Sequence, residues 1–163
     1  MHSPKDKRWF TEQVRPMLDT LYRVAYALLQ SDADAQDAAQ SSVEQAYVSL
    51  GSLKDRKKFR PWLIRILKNE CYRMLREKKR YVPFDDLPES GVEPFDALDL
   101  KAAFLRLSAE SRLSVTLYYY EGYGISEIAS LLGEPEGTVK SRLSRARKAM
   151  RKDLSDQEAS HVE

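Results

Sequence analysis

The chain has 163 residues but only one cysteine, Cys71, and two histidines, His2 and His161, near its two ends. A single thiol excludes an internal disulfide and a metal site built from several cysteines. Histidines in flexible ends are poorly placed to build a site with one another. We therefore expect no metal site, and the helical pattern around Cys71 predicts a small core residue there.

Other absences limit the functions that this sequence can have. No apolar run reaches the roughly 18 residues of a membrane span, and the first residues have no apolar stretch of the signal-peptide type. The sequence also lacks a glycine-rich phosphate loop, a His-Glu-x-x-His motif and a nucleophile elbow. A lone thiol is typical of a reducing compartment. These features predict a soluble cytoplasmic protein that is not an enzyme, with no catalytic residues, no cofactor and no small-molecule substrate.

What the chain does have is charge of both signs in separate blocks. The net charge is only +2, yet residues 54–80 carry twelve lysines or arginines against three acids, a net of +9. Residues 81–100 carry six acids and no base, a net of −6. Residues 136–152 are basic again, with seven bases against one acid. This order indicates two anion-binding surfaces with an acidic spacer between them, and a plainly solvated surface is the alternative.

Apolar residues recur at helical spacing, and no strand-like alternation persists, so the sequence predicts an all-α fold. We expect two small helical domains, over residues 8–80 and 98–154. A linker at 81–97, with three prolines, a glycine and several acids, joins them. In the first domain, helices are expected at about 8–29, 33–50 and 59–79, and Pro16 either kinks the first helix or marks its true start. Ser31 or Asp32 is expected to cap the second helix. In the second domain we expect a helix at about 98–107, a further one capped by Ser108, and a frayed tail after residue 153.

The region from 121 to 150 predicts a helix-turn-helix. A short amphipathic helix ends at Gly133, which suits a left-handed residue, and Pro135 suits the first turn of the next helix. The second helix has an inward row of apolar residues, and its other faces are basic. Such a helix can lie in a DNA major groove. The alternative is an ordinary amphipathic hairpin with a solvated basic face. The inward row consists of Val139, Leu143, Ala146 and Met150.

Two further surfaces are candidates for binding. Acidic and amide side chains follow one side of the helix at 33–50, which is either an exposed face or a docking face for a partner. The basic segment 54–80 combines Arg and Asn with aromatic residues, so it could hold phosphates and stack or read bases. We expect Phe59 and Trp62 to belong mostly to the core, and the basic side chains to be the functional part.

The order of these features resembles the extracytoplasmic function (group IV) sigma factors of the sigma-70 family, over roughly residues 10–154. The most specific match is Glu127-Ile-Ala together with 137–147, Gly-Thr-Val-Lys-Ser-Arg-Leu-Ser-Arg-Ala-Arg, which is similar to the helix-turn-helix of the fourth sigma region. The second region is matched by Asp34-Ala-Gln-Asp followed by Gln40, and by Phe59-x-x-Trp-Leu with Arg65, Ile66 and Asn69.

The resemblance implies a subunit that binds promoter DNA and, through the β′ and β subunits, bacterial core RNA polymerase. It also implies that an anti-sigma factor controls this subunit. The β′ clamp helices would meet the acidic face of Asp34, Asp37, Gln40 and Glu44. The −10 element would meet Lys54, Arg56, Lys57, Lys58, Arg60, Asn69, Arg73 and Arg76. The −35 element would meet Thr138, Lys140, Ser141, Arg142, Ser144, Arg145 and Lys148, with Arg142 and Arg147 expected to support the helix or touch phosphate. The linker would thread toward the channels of the polymerase.

The chain departs from the family pattern at three positions. Ser41 stands where a glutamate usually follows the glutamine, Gly124 replaces the usual Ser or Thr cap, and Ser144 is small. The Gly124 cap costs only a few tenths of a kcal/mol. Two other functions stay open: a stand-alone helix-turn-helix regulator that dimerises on palindromic DNA, and an adaptor that binds only protein. The basic segment 54–80 argues against the regulator, and an adaptor would not need Lys140 or Arg145.

Overall fold

The computed structural model of the protein describes the backbone of residues 1–81 and 97–161. Over these residues every regular element is helical, which confirms the predicted all-α class. The chain divides into two compact units, residues 1–76 and 77–163. The domain bounds 8–80 and 98–154 stay a prediction, because most of the predicted linker at 81–97 lies outside the described residues.

Eight α-helices span the described residues. The first unit is built from α1 (Pro4–Val14), α2 (Leu18–Leu29), α3 (Asp32–Val48) and most of α4 (Phe59–Tyr81). The second contains α5 (Ala97–Leu105), α6 (Ala109–Val115), α7 (Ile125–Leu132) and α8 (Glu136–His161). The predicted helices of both domains are therefore present, with ends that differ by a few residues.

The first helix predicted at 8–29 is divided into two at Pro16, where a kink or the true start of the helix was expected. A 3₁₀ turn at Arg15–Met17 separates α1 from α2, because Pro16 has no N–H to continue the α-helical ladder. The chain also becomes helical earlier than expected. Ser3 accepts a hydrogen bond from the Asp6 N–H at 3.1 Å, and Asp6 accepts one from the Ser3 N–H at 3.2 Å, which is a capping box.

This ordered start corrects the expectation of a flexible end at His2. The His2 ring lies edge-on to Tyr47 of α3, with the ring centroids 5.1 Å apart. At the other end of the chain, the backbone is helical as far as His161, where a frayed tail was expected.

The core of the first unit lies between α2, α3 and α4. Ser31 caps α3 as predicted, accepting from the Asp34 N–H at 3.3 Å. Small residues of α3 allow α2 to pack closely against it. Cys71 of α4 is fully buried, as predicted, and burial raises the pKa of its thiol to about 12. The largest side chains of this core are Met17, Leu21, Leu28, Phe59, Leu63, Ile64 and Leu67.

In the second unit, α5, α6 and α7 all pack against α8. Ser108 caps α6 as predicted, accepting from the Ser111 N–H at 3.2 Å. The sequence did not predict that α6 continues into a π-helical turn at Thr116–Tyr120, where the Glu121 N–H reaches the Thr116 carbonyl at 3.1 Å. This turn leaves Tyr119 and Tyr120 exposed.

The helix-turn-helix has the predicted turn. Gly133 is left-handed, with φ of 66°, and the Glu134 N–H bonds the Ala129 carbonyl at 3.0 Å, which is a Schellman motif. Pro135 precedes the first residue of α8. The inward row of α8 is buried at Val139, Leu143 and Ala146. The apolar side of α8 is therefore fixed against the unit, and its basic side faces outward.

Candidate nucleic-acid interfaces and an acidic helix face

The outward side of α8 carries most of the residues predicted to contact the −35 element. Lys140, Ser141, Arg145 and Lys148 are exposed, whereas Thr138 and Ser144 are half-buried. Their spacing of three or four residues places most of them on one helix face. This outward face is therefore basic and polar.

Arg142 is the exception among the predicted −35 residues. Its guanidinium makes two hydrogen bonds to the carboxylate of Glu134 in the turn, at 2.5 and 3.0 Å, and its side chain is only 15% exposed. A paired arginine fork of this kind is strong and directional. Arg142 thus ties α8 to the turn before it, and it does not lie on the outward face with Lys140 and Arg145.

Arg147 of α8 was expected to support the helix or touch phosphate, but its partner was not predicted. Arg147 donates to the hydroxyl of Tyr119 at 3.0 Å, which connects α8 to the π-helical turn. This hydrogen bond raises the pKa of Arg147 above its usual range. No sequence signal marks this pair, because the two residues are 28 positions apart.

The basic loop before α4 contains two 3₁₀ turns, Leu50–Ser52 and Arg56–Lys58. Asp55 caps the second turn by accepting from the Lys57 N–H at 3.0 Å. The side chains of Lys54, Lys57 and Lys58 are exposed, and among the described residues no carboxylate pairs with them. These ammonium groups are available to an anionic partner.

Residues of α4 extend this basic surface. Arg60, Asn69 and Arg76 are exposed, and Asn69, Arg73 and Arg76 share one helix face by their spacing. Trp62, expected in the core, is only half-buried, whereas Phe59 is 2% exposed. Phe59 is thus a core anchor, and Trp62 lies at the edge of the core.

Two of the arginines predicted to contact the −10 element are bound by the protein itself. Arg56 lies 2.6 Å from an oxygen of Asp6 and 4.3 Å above the centre of the Trp9 ring. Arg73 contacts both oxygens of Glu70, at 2.6 and 3.0 Å. Asp6, Trp9 and Glu70 were not predicted as parts of this surface. A Glu three residues before an Arg is a helical pair that the sequence can indicate, but nothing local connects Arg56 to α1.

Glu70 is the centre of a polar network between α3 and α4. It is 7% exposed and also accepts hydrogen bonds from Ser41 at 3.3 Å and Gln45 at 3.2 Å. The hydrogen bonds from Arg73 lower the pKa of Glu70, burial opposes this, and the bonds from Gln45 and Ser41 lower it further. Ser41, where the family usually has a glutamate, therefore faces a buried carboxylate in this chain.

The predicted acidic face of α3 is present. Asp37, Gln40 and Glu44 are exposed, and Asp34 is half-buried. Gln40 donates to Glu44 at 3.2 Å, which orients the amide along the face. Ser41 and Gln45 point instead to Glu70, so α3 presents acids to solvent on one side and a polar network to α4 on the other.

Comparison with known proteins identifies the family. The sequence-family model of sigma-70 region 2 matches residues 13–81, and that of sigma-70 region 4 matches residues 97–150. The ECF RNA polymerase sigma factor SigW of Bacillus subtilis is 30% identical over 171 residues, which cover 93% of this chain and 91% of SigW. The ECF sigma factor SigM of Mycobacterium tuberculosis is 32% identical over 151 residues, covering 90% of this chain and 77% of SigM.

A solved structure agrees with these relatives. The sigma factor RpoE, in its complex with the anti-sigma factor NepR from Bartonella quintana, superposes with a TM-score of 0.76 and 26% identity, over 91% of this chain and 98% of RpoE. The chain belongs to the ECF RNA polymerase sigma factors. The predicted function as a sigma factor is confirmed, and the stand-alone regulator is not supported. Among the described helices, none is long and apolar enough to span a membrane.

Proposed function

We propose that three surfaces of this sigma factor bind three parts of the initiation complex. The acidic face of α3 binds core RNA polymerase, the loop at 53–58 with α4 binds the −10 element, and α8 binds the −35 element. One observation carries the proposal: the two exposed basic surfaces lie on two separate compact units, and the acidic face lies on only one of them.

The polymerase surface consists of Asp34, Asp37, Gln40 and Glu44. Its three carboxylates and one oriented amide complement a basic and polar partner such as the β′ clamp helices. We expect further contacts with the β subunit. Complementary charge of this kind steers encounter and fixes register. Ser41, where the family usually has a glutamate, faces Glu70 and adds no carboxylate to this face.

The −10 surface combines phosphate binding with base recognition. Lys54, Lys57 and Lys58 would bind the backbone, and Arg60 and Arg76 would extend that contact along α4. Asn69 has an amide that can donate to and accept from a base edge. Melted DNA exposes such base edges. When these lysine, arginine and asparagine side chains hold one separated strand, they favour the open promoter.

The −35 surface is the outward face of α8. Lys140, Ser141, Ser144 and Arg145 would meet base edges in the major groove, where each base pair presents a distinct pattern. Thr138 and Lys148, toward the two ends of this face, would bind phosphates. Arg142 would act by keeping α8 in place through Glu134.

Two DNA-binding units on one chain make promoter binding bivalent. Each unit binds weakly, but core polymerase fixes their spacing and raises the effective concentration of the second contact. We also propose that the protein acts in the cytoplasm and that an anti-sigma factor inhibits it, as suggested by the RpoE–NepR complex.

Reconstitution with bacterial core RNA polymerase tests the proposal. Run-off transcription followed by sequencing of start sites should give a restricted set of promoters. The result against it is failure to co-purify with core polymerase together with tight binding of the free chain to a palindrome.

Matched variants separate the surfaces. Asp37→Ala should weaken binding to core polymerase and leave −35 duplex binding by the free chain unchanged. Asp19→Ala removes an exposed acid of α2 outside this face and serves as the control. Arg145→Ala should weaken −35 recognition and leave core binding intact. Equal loss of both activities in either variant would contradict the assignment.

A further inference from the structure

The N-terminal helix α1 contacts the loop that would bind the −10 element. Arg56, in the turn Arg56–Lys58, is bonded to Asp6 at 2.6 Å and lies over the Trp9 ring at 4.3 Å. Both partners belong to α1, about fifty positions away in sequence. A guanidinium that donates to a carboxylate and lies over an indole is held by protein at one edge and on one face.

Each partner of Arg56 is itself fixed. The Asp6 carboxylate accepts from the N–H and, at 2.7 Å, from the hydroxyl of Ser3, and these bonds with that of Arg56 lower its pKa. Trp9 packs edge-on against Phe59, with centroids 5.3 Å apart, and Phe59 is the buried first residue of α4. The contact to Arg56 is therefore presented by an ordered helix end and by the core.

The turn is fixed from its other side as well. Asp55 accepts from the Lys57 N–H at 3.0 Å, its carbonyl accepts from the Lys58 N–H at 3.0 Å, and the Phe59 N–H bonds the Arg56 carbonyl. With Arg56 directed toward α1, Lys57 and Lys58 remain exposed on the same turn. The contact of Arg56 with α1 therefore holds the same short turn that carries the two exposed lysines.

We infer that Asp6 and Trp9 are positioning residues for −10 binding, which bind Arg56 so that Lys57 and Lys58 face the DNA. Arg56 then acts on DNA through the shape of the loop and makes no phosphate contact of its own. The inference rests on the proposed function of this loop, and it extends that function to Asp6 and Trp9, which precede the region-2 match beginning at residue 13.

The first test uses the free full-length chain and hydrogen exchange at the amides of Lys57, Lys58 and Phe59. Asp6→Asn keeps an oxygen for the helix cap but removes the charge that binds Arg56. Because the pair is half-exposed, exchange in the turn should rise by about threefold in Asp6→Asn and in Trp9→Leu. Glu12→Gln breaks the exposed Arg8–Glu12 pair on the same helix and is the matched control, with no change expected in the turn.

The second test uses the holoenzyme and a single-stranded −10 oligonucleotide. Asp6→Asn and Arg56→Gln should each weaken binding about threefold and leave the salt dependence unchanged, whereas Lys57→Ala should lower the slope of log K against log salt by about 0.7. The double variant Asp6→Asn/Arg56→Gln should bind no more weakly than either single variant, because both remove one interaction.

Three results would overturn the inference. The first is unchanged exchange in Asp6→Asn. The second is a lowered salt slope in Arg56→Gln with tighter binding in Asp6→Asn, which would make Arg56 a phosphate contact for which Asp6 competes. The third is a double variant that binds much more weakly than both single variants. If the wild-type holoenzyme does not bind the −10 strand, the proposed function fails, and the exchange experiment alone still decides whether α1 fixes the turn.

Discussion

Two arginine–carboxylate pairs, one in each unit, span different distances along the chain. In the first unit, Arg56 is bonded to Asp6, fifty positions away, and in the second unit Arg142 is bonded to Glu134, eight positions away. The Arg142 pair lies within the helix-turn-helix itself. The Arg56 pair instead joins the proposed −10 loop to α1, so we expect the geometry of that loop to require a folded α1.

Both units contain arginines that pair with carboxylates and exposed lysines that do not. Arg56, Arg73 and Arg142 contact carboxylates, whereas among the described residues no carboxylate pairs with Lys57 or Lys148. The rigid fork of arginine suits bidentate contacts within the fold, and the flexible ammonium of lysine suits a phosphate backbone. We therefore expect the paired arginines to shape a surface, and exposed bases such as Lys57, Lys148 and Arg145 to bind with it.

The largest effects should come from the two cores. Phe59→Ala should destabilise the first unit by about 3–5 kcal/mol, and Leu143→Ala the second by about 2–5 kcal/mol, since each leaves a cavity at a buried site. Each variant should affect its own unit only. Hydrogen exchange measured unit by unit checks this, and loss of protection in both units from either change would show that they fold as one.

Next in size is the buried network of the first unit. Glu70→Ala removes the acceptor for Arg73, Gln45 and Ser41, and should cost about 2 kcal/mol in the free energy of unfolding. Glu12→Ala, at an exposed acid of the same unit, should stay within about 0.5 kcal/mol of wild type. Chemical denaturation gives both values, and equal effects of the two changes would contradict the role of Glu70.

The same network predicts a pH dependence. The folded pKa of Glu70 lies below its unfolded value, so the stability it contributes is present above the unfolded value of 4.5 and is lost as pH falls through the folded pKa. Denaturation midpoints between neutral pH and about pH 3 should therefore fall less steeply in Glu70→Gln than in wild type. Parallel curves would mean that the Glu70 carboxylate is not stabilised in the folded state.

A smaller effect is expected at the turn of the helix-turn-helix. Glu134→Gln and Arg142→Lys each remove the bidentate pair and should each destabilise the second unit by about 1 kcal/mol. The double variant should lose no more than either single change, because one interaction is removed in all three. Thermal unfolding of the three variants measures this coupling, and additive losses would show that the two residues act separately.

Much of the second unit could be predicted from the sequence because its determinants are local. Gly133 gives the left-handed turn, and Val139, Leu143 and Ala146 give the buried side of α8 by spacing alone. The π-helical turn at Thr116–Tyr120 was missed, because its residues also fit an ordinary helix.

The first unit was harder to predict. Pro16 was recognised as a break, but the earlier start of α1 depends on the cap that Ser3 and Asp6 form together. The helices and the acidic face of α3 followed from periodicity. The binding of Arg56 by Asp6 and Trp9 did not, because it is a tertiary contact with no periodic signal in the sequence.

The central claim is that exposed lysines bind the DNA, whereas arginines paired with carboxylates shape the DNA-binding surface. The salt dependence of promoter binding tests this claim most directly. The measurement is the slope of log K against log salt for the holoenzyme on one duplex promoter. Lys148→Ala should lower the slope by about 0.9, as expected for one lost phosphate contact on duplex DNA. Arg142→Gln should weaken binding and leave the slope unchanged. A loss of slope in Arg142→Gln equal to that in Lys148→Ala would contradict the account.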